Sequence, residues 1–200
     1  MNPSRDELTA MMAEHPLTLT PGIANLIKAL HLREQHVYFV SGGFRQMIEP
    51  IAAQVHIAPH QIFANTLVFN DDGSFKSHLD SEPTSRAGGK AKVVADLKAL
   101  HGYKTVVMVG DGATDMEARD IPGGADAFIG FGGVAVREKV KAGADWFVTS
   151  FEEMMPSVTE ADGQWFLTAE DRARLMTNQH LDFMAAAQQQ QQQQQQQPSI

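Results

Sequence analysis

Four short apolar runs set the tightest limit on how this 200-residue chain can fold: Val37–Val40, Thr105–Val109, Ala127–Ile129 and Trp146–Val148. Each is continuous rather than alternating, and each is followed closely by Gly or Ser. That is the pattern of a strand buried on both faces of a parallel sheet. Amphipathic stretches lie before and between the runs. Ile23, Ile27 and Leu30 recur at helical spacing after Pro21, and Met47, Ile48, Ile51 and Val55 mark a second helix. Val93, Val94, Leu97 and Leu100 mark a third, and Val134, Val136 and Val140 a fourth. Strands alternating with helices predict an α/β fold built on a doubly wound parallel sheet. Such sheets bind ligands beyond the C-terminal ends of their strands.

One stretch interrupts the alternation. Between Ile62 and His78, the turn signal Asn70-Asp71-Asp72-Gly73 separates Leu67-Val68-Phe69 from Phe75 and predicts a β-hairpin inserted beside the ligand crevice. Ahead of the core a helix is predicted near Asp6–Glu14, with Asn2 or Ser4 as its cap and acidic residues in its first turns. Near the other end, Gln188–Gln197 is an unbroken run of ten glutamines followed by Pro198, Ser199 and Ile200. It has no apolar face whose burial could offset the entropy of ordering, so a disordered tail is expected. Ala169–Ala187, just before it, has helical composition. The chain thus divides into an N-terminal helix (1–20), a core (21–155), a helical extension (156–187) and the tail (188–200).

Composition narrows the function. With 24 acidic against 16 basic side chains and a net charge of −8, the chain lacks the clustered Lys and Arg that a nucleic acid or an anionic membrane surface would need. The absence of cysteine removes disulfides, a thiolate nucleophile and zinc-thiolate sites, so any metal would be held by oxygen or imidazole. The eight histidines are scattered without metal-ligand spacing. No window reaches the roughly 18 consecutive apolar residues of a membrane span, and Met1–Glu14 has neither signal-peptide nor transit-peptide character. A soluble, non-secreted protein is the expectation.

Three motifs stand where strands give way to helices. Ser41-Gly42-Gly43-Phe44-Arg45 offers a hydroxyl, two residues without side chains and unpaired helical N–H groups, a compact anion cradle; a plain helix cap by Ser41 is the alternative. Gly88-Gly89-Lys90-Ala91-Lys92 places Lys90 at a helix start, where the macrodipole disfavours a cation by about 0.3–1 kcal/mol unless an anion compensates. A solvated surface lysine is the competing reading. Gly110-Asp111-Gly112-Ala113-Thr114-Asp115 supplies two carboxylates and a hydroxyl, hard oxygen donors suited to Mg²⁺. Both acids could instead simply cap a turn and a helix, although glycines bracketing Asp111 imply close backbone approach of a ligand.

The order and wording of these motifs, with Leu19–Ile23, Phe39–Phe44, Phe63–Asn65, Gly88–Lys90, Gly110–Ala118 and Ala125–Gly133, resemble the haloacid-dehalogenase-like (HAD-like) phosphohydrolases and, within them, the phosphoserine phosphatase family. The resemblance runs from about Pro3 to Phe151. It implies a HAD-like, Rossmann-like core in which Ser41 bonds the transferring phosphoryl group and Gly42 and Gly43 give close backbone contact to substrate. Lys90 would neutralise the phosphoryl oxygens. Asp111 would ligate Mg²⁺, Thr114 would touch substrate, and Asp115 would hold the metal's water shell or orient Lys90. Asn65 is a further pocket candidate.

The implied activity is Mg²⁺-dependent hydrolysis of O-phospho-L-serine to L-serine and phosphate, the last step of serine biosynthesis. It would take place in the cytoplasm, or in a plastid if a transit peptide precedes the chain. The same resemblance exposes a deficit. The family's catalytic motif is Asp-x-Asp on a first strand, whose first carboxylate attacks phosphorus and whose second serves as general acid and base. This sequence has no Asp-x-Asp; its adjacent acids Asp71-Asp72 fall in the predicted turn. The helical cap that follows that motif is absent too. The expectation is an incomplete chain, inactive alone, with two unpaired sheet edges that favour a homodimer. Two alternatives stay open: a catalytically inactive phosphate-binding or regulatory protein whose partner supplies the strand, and a phosphatase for another small phosphomonoester.

Overall fold

A computed structural model describes residues 3–157. The predicted helical extension beyond Ser157 and the glutamine tail lie outside the described residues. Helix α1 (Arg5–Glu14) forms where expected, and the cap is Ser4: its hydroxyl accepts from the Glu7 N–H at 3.2 Å while the Glu7 carboxylate accepts from the Ser4 N–H at 2.7 Å. That reciprocal pair satisfies two of the donors a helix start leaves open. Helix α2 (Ile23–Leu32) buries Leu26, Ile27 and Ala29.

Strand β1 (Phe39–Phe44) pairs in parallel with β2 (Ile62–Asn65), placing Phe39 opposite Ile62 and Val40 opposite Phe63, and helix α3 (Arg45–Gln54) crosses between them. Two sequence expectations change here. The composition of Ser41-Gly42-Gly43 predicts a helix start, but its backbone stays extended through Phe44, so Ser41 is not the helix cap. Ile62–Asn65, which the sequence groups with the hairpin region, is a separate parallel strand whose buried residues alternate, Ile62 and Ala64 facing the core. The hairpin itself is β3 (Leu67–Phe69) and β4 (Phe75–His78), antiparallel around the predicted turn.

Helix α4 (Gly89–His101) leads to β5 (Val107–Gly110), α5 (Ala113–Asp120), β6 (Ala127–Phe131), α6 (Glu138–Gly143), β7 (Trp146–Val148) and a last short helix, α7 (Met154–Ser157). Strands β5, β6 and β7 form a parallel ladder with Val107 opposite Ala127 and Ile129 opposite Trp146. The fourth helix starts later than its apolar spacing predicts. Val134 and Val136 are 78% and 51% exposed in the loop before α6, because Gly132 and Gly133 carry the chain out of β6 under the rings of Phe147 and Phe131, and the helix begins only at Glu138.

The α/β architecture is the one the strand runs predict, with one departure from a continuous sheet. Among the described residues the parallel strands form two ladders, β1-β2 and β5-β6-β7, and neither β1 nor β5 has a second strand partner. The core of the described residues has three clusters: Ile27, Ala52, Val55, Ile57, Ile62 and Ala64 pack around the first ladder, Ala91, Val94, Met108, Ala118, Ala125, Phe128 and Val140 around the second, and Leu26 of α2 joins Phe131, Val148, Phe151 and Met154. Burial on both faces therefore fails at β5, where Met108 is buried and Val109, on the opposite face, is 38% exposed. Below the strands, the hydroxyls of Tyr38 and Tyr103 lie 2.7 Å apart and tie the two halves together.

Candidate active site

The three motifs emerge at the C-terminal ends of β1 and β5 and at the start of α4, the edge where an α/β sheet takes its ligands. Gly89 opens α4 directly beneath a 3-10 turn, Pro83–Ser85; a Cβ at Gly89 would stand 2.0 Å from the Pro83 carbonyl oxygen, so only glycine lets the turn sit there. This contact aims Lys90 toward the β5–α5 loop. Lys90 Nζ donates to Asp115 Oδ1 at 2.6 Å, with side-chain exposures of 17% and 8%. The other Asp115 oxygen accepts from the Gly112 N–H at 3.0 Å. Gly110 makes room for that carboxylate, since a Cβ there would lie 2.2 Å from Asp115 Cγ. The Lys90 contact is the geometry that one of the two roles expected of Asp115, orienting Lys90, requires. Lys90 is thus not a solvated surface lysine, and its cation at a helix start is compensated by this acid.

The Ser41 loop joins the same site through a second set of bonds. Ser41 Oγ accepts from the Gly43 N–H at 3.0 Å, and Asn65 Nδ2 donates to the Gly42 carbonyl at 2.7 Å. Asn65 Oδ1 in turn accepts from Thr84 Oγ1 at 2.8 Å, and Thr84 lies in the turn that covers Gly89. Gly42 and Gly43 are exposed, with backbone open to a ligand. Behind the loop, Arg45 donates to the Ile62 carbonyl at 2.8 Å and to Thr66 Oγ1 at 3.1 Å, and Glu82 accepts from both the N–H and the hydroxyl of Thr66. Gln46 clamps the hairpin by donating to the Leu67 carbonyl at 2.8 Å.

Asp111 projects from the loop just before α5, whose first turn carries Asp115, and faces solvent, its side chain 49% exposed. Arg137 Nη1 donates both to its carbonyl, at 2.6 Å, and to Oδ2, at 2.5 Å. The donor type fits a hard divalent cation, and Oδ1 is the oxygen Arg137 leaves open. Among the described residues no group of three His, Cys, Asp or Glu side chains is arranged to hold a metal, so Asp111 offers one candidate oxygen donor rather than a full set. Thr114 is exposed on the first turn of α5. The sequence reading missed Arg137 and Thr84. Neither belongs to a recognisable motif, and Arg137 sits in a stretch whose valines suggest only helix.

Comparison with known proteins shows the family. The haloacid dehalogenase-like hydrolase family matches residues 2–119. The phosphoserine phosphatase of Rattus norvegicus is 44% identical over 160 residues, covering 80% of this chain and 70% of that protein. The chain belongs to the phosphoserine phosphatase family of haloacid dehalogenase-like hydrolases. The chloroplastic family member of Arabidopsis thaliana is 47% identical over 78% of the chain, which spans about half, 52%, of its length. A solved phosphoserine phosphohydrolase-like protein from Francisella tularensis superposes with a TM-score of 0.67 at 27% identity, covering 78% of this chain and 71% of that one. Among the described residues no helix is long and apolar enough to cross a membrane.

Proposed function

We propose that this chain forms the phosphate- and Mg²⁺-binding part of a phosphoserine phosphatase site, serving hydrolysis of O-phospho-L-serine to L-serine and phosphate. The observation that carries the reading is the Lys90–Asp115 pair, held at 2.6 Å in a nearly buried position beside a loop of exposed glycine backbone. A lysine so fixed presents its charge to a phosphomonoester without reorganising and neutralises part of the charge spread over the nonbridging oxygens. Ser41 donates its hydroxyl hydrogen to one of those oxygens, and the Gly42-Gly43 backbone allows close approach. Thr114 contributes a hydroxyl at the rim. Asp111 would hold Mg²⁺, which when bound supplies further neutralisation of phosphoryl charge. The relatives from rat and Arabidopsis, both named phosphoserine phosphatases, support the substrate.

These 200 residues contain no Asp-x-Asp, so by this reading they bind the phosphoryl group without forming an aspartyl-phosphate. The test is calorimetric titration of the chain with inorganic phosphate and with phosphoserine, alongside a phosphate-release assay. Saturable binding of both, lost in Lys90→Met, is expected. Failure to bind either would overturn the assignment.

A second reading is a phosphate-binding protein completed by a partner strand. It is favoured by β1 and β5, each paired along one edge only among the described residues. Turnover of phosphoserine restored by a partner chain would select it.

A further inference from the structure

Asn65 stands outside the phosphate loop, yet the bonds around it run to the loop's one hydroxyl. A peptide unit is planar, so its C=O and N–H point in opposite directions and fixing one fixes the other. In the Gly42–Gly43 peptide, the carbonyl is taken by Asn65 Nδ2 at 2.7 Å and the N–H by Ser41 Oγ at 3.0 Å. Without side chains at either position, little in the loop besides the Ser41 bond resists rotation of that peptide. Its carbonyl end is held from outside. The Gly42 carbonyl only accepts, so Asn65 turns its NH₂ toward it, and the Thr84 hydroxyl anchors the other end of the amide by donating to Asn65 Oδ1 at 2.8 Å. Thr84 is itself only 9% exposed, a buried polar residue whose hydroxyl is spent on this bond.

The consequence falls on Ser41. A hydroxyl that accepts from the Gly43 N–H has a lone pair occupied, and its own hydrogen turns away from that N–H toward the open side of the loop. An oxyanion requires a donor there. We propose that Thr84 and Asn65 form a positioning relay: Thr84 fixes the Asn65 amide, Asn65 fixes the Gly42–Gly43 peptide, and that peptide holds Ser41 as a hydrogen-bond donor to the phosphoryl group. Asn65 and Thr84 touch no substrate in this arrangement and act through Ser41. The inference rests on the reading of this loop as the phosphate site.

Coupling to Ser41 distinguishes such a relay from general support of the fold, because residues that act through one another are non-additive when substituted together. Inorganic phosphate is titrated into the full 200-residue chain by calorimetry, with thermal unfolding of each variant recorded. Asn65→Ala should weaken phosphate by about fivefold, the loss of roughly one hydrogen bond's net contribution. Thr84→Val should do so by about threefold while Thr84→Ser, which keeps the donor, binds like the parent. In a Ser41→Ala background, Asn65→Ala should add less than about twofold. If Asn65→Ala proves unstable, the Thr84→Val and Ser41→Ala pair gives the same cycle. Equal losses in the parent and Ser41→Ala backgrounds, or unchanged affinity in both Asn65→Ala and Thr84→Val, would overturn the relay. Failure of the parent chain to bind phosphate would instead overturn the site.

Discussion

Replacing Lys90 by Met separates what the Lys90–Asp115 pair does for the fold from what it does for the ligand. The pair is 2.6 Å apart with side chains 17% and 8% exposed, and Asp115 keeps only the Gly112 N–H when Lys90 is gone. Removing one member of a buried pair strands the other, at about 3–5 kcal/mol; residual exposure of Lys90 argues for the lower end, about 3 kcal/mol. For a domain of this size that corresponds to a fall in Tm of about 6–12 °C. Asp115→Asn added to Lys90→Met removes the stranded charge and leaves an amide that still accepts from Gly112. The double variant should therefore recover about 1–2 kcal/mol of the loss. Urea and thermal unfolding measure both. Phosphate titration reports the other role: the double variant, though more stable, should bind no better than the single. A Tm for Lys90→Met within about 2 °C of the parent, or strictly additive losses in the double variant, would refute the description of this pair as buried and coupled.

Three further outcomes follow from neighbouring geometry. Gly110→Ala puts a methyl 2.2 Å from Asp115 Cγ, so it should lower Tm and phosphate affinity together, as Lys90→Met does; a neutral result in either would show that Asp115 has room to move. Arg137→Ala frees the Asp111 carboxylate that Arg137 now fixes at 2.5 Å, and Mg²⁺ affinity measured by titration should fall by about tenfold while metal-free phosphate binding is unchanged. Tighter Mg²⁺ binding would mean that the guanidinium competes with the metal. Asp126 tests the scaffold: burial pushes its carboxyl up, but the Lys98 ammonium at 2.8 and 2.9 Å and the Val106 N–H at 2.7 Å outweigh burial and hold it below its ordinary 3.8. A carboxylate depressed on folding contributes stability above its unfolded value that is lost as pH falls through the folded one. Asp126→Asn should thus be less stable at neutral pH and lose less on acidification below about pH 4, as followed by pH-dependent urea unfolding; parallel curves would contradict this.

Much of this architecture can be read from residue order. The apolar runs ending at Val40, Val109, Ile129 and Val148 lie in or just before parallel strands, and Asn70–Gly73 turns the hairpin as its composition predicts. Local signals failed where tertiary contacts decide. Ser41-Gly42-Gly43 has the composition of a helix start, yet its extension as strand depends on pairing with β2 and on the bond from Asn65, more than twenty positions away. Val134, Val136 and Val140 suggest a helix, but Val134 and Val136 are exposed, and from the loop that carries them Arg137 reaches Asp111. Lys90 and Asp115 were visible as candidates because their motifs are compact. Their contact was not, since it needs Gly89 to bring α4 under the Pro83–Ser85 turn and Gly110 to clear space beside it. Arg137 and Thr84 act singly, through distance rather than pattern.

The proposed function makes these residues a phosphoryl-binding site without a nucleophile of their own. Its most direct test is titration of the 200-residue chain with phosphoserine in the presence of Mg²⁺, followed at once by calorimetry and by release of inorganic phosphate. Saturable binding that Lys90→Met abolishes, with no phosphate released, is the predicted result; turnover by the chain alone, or no binding at all, would contradict it.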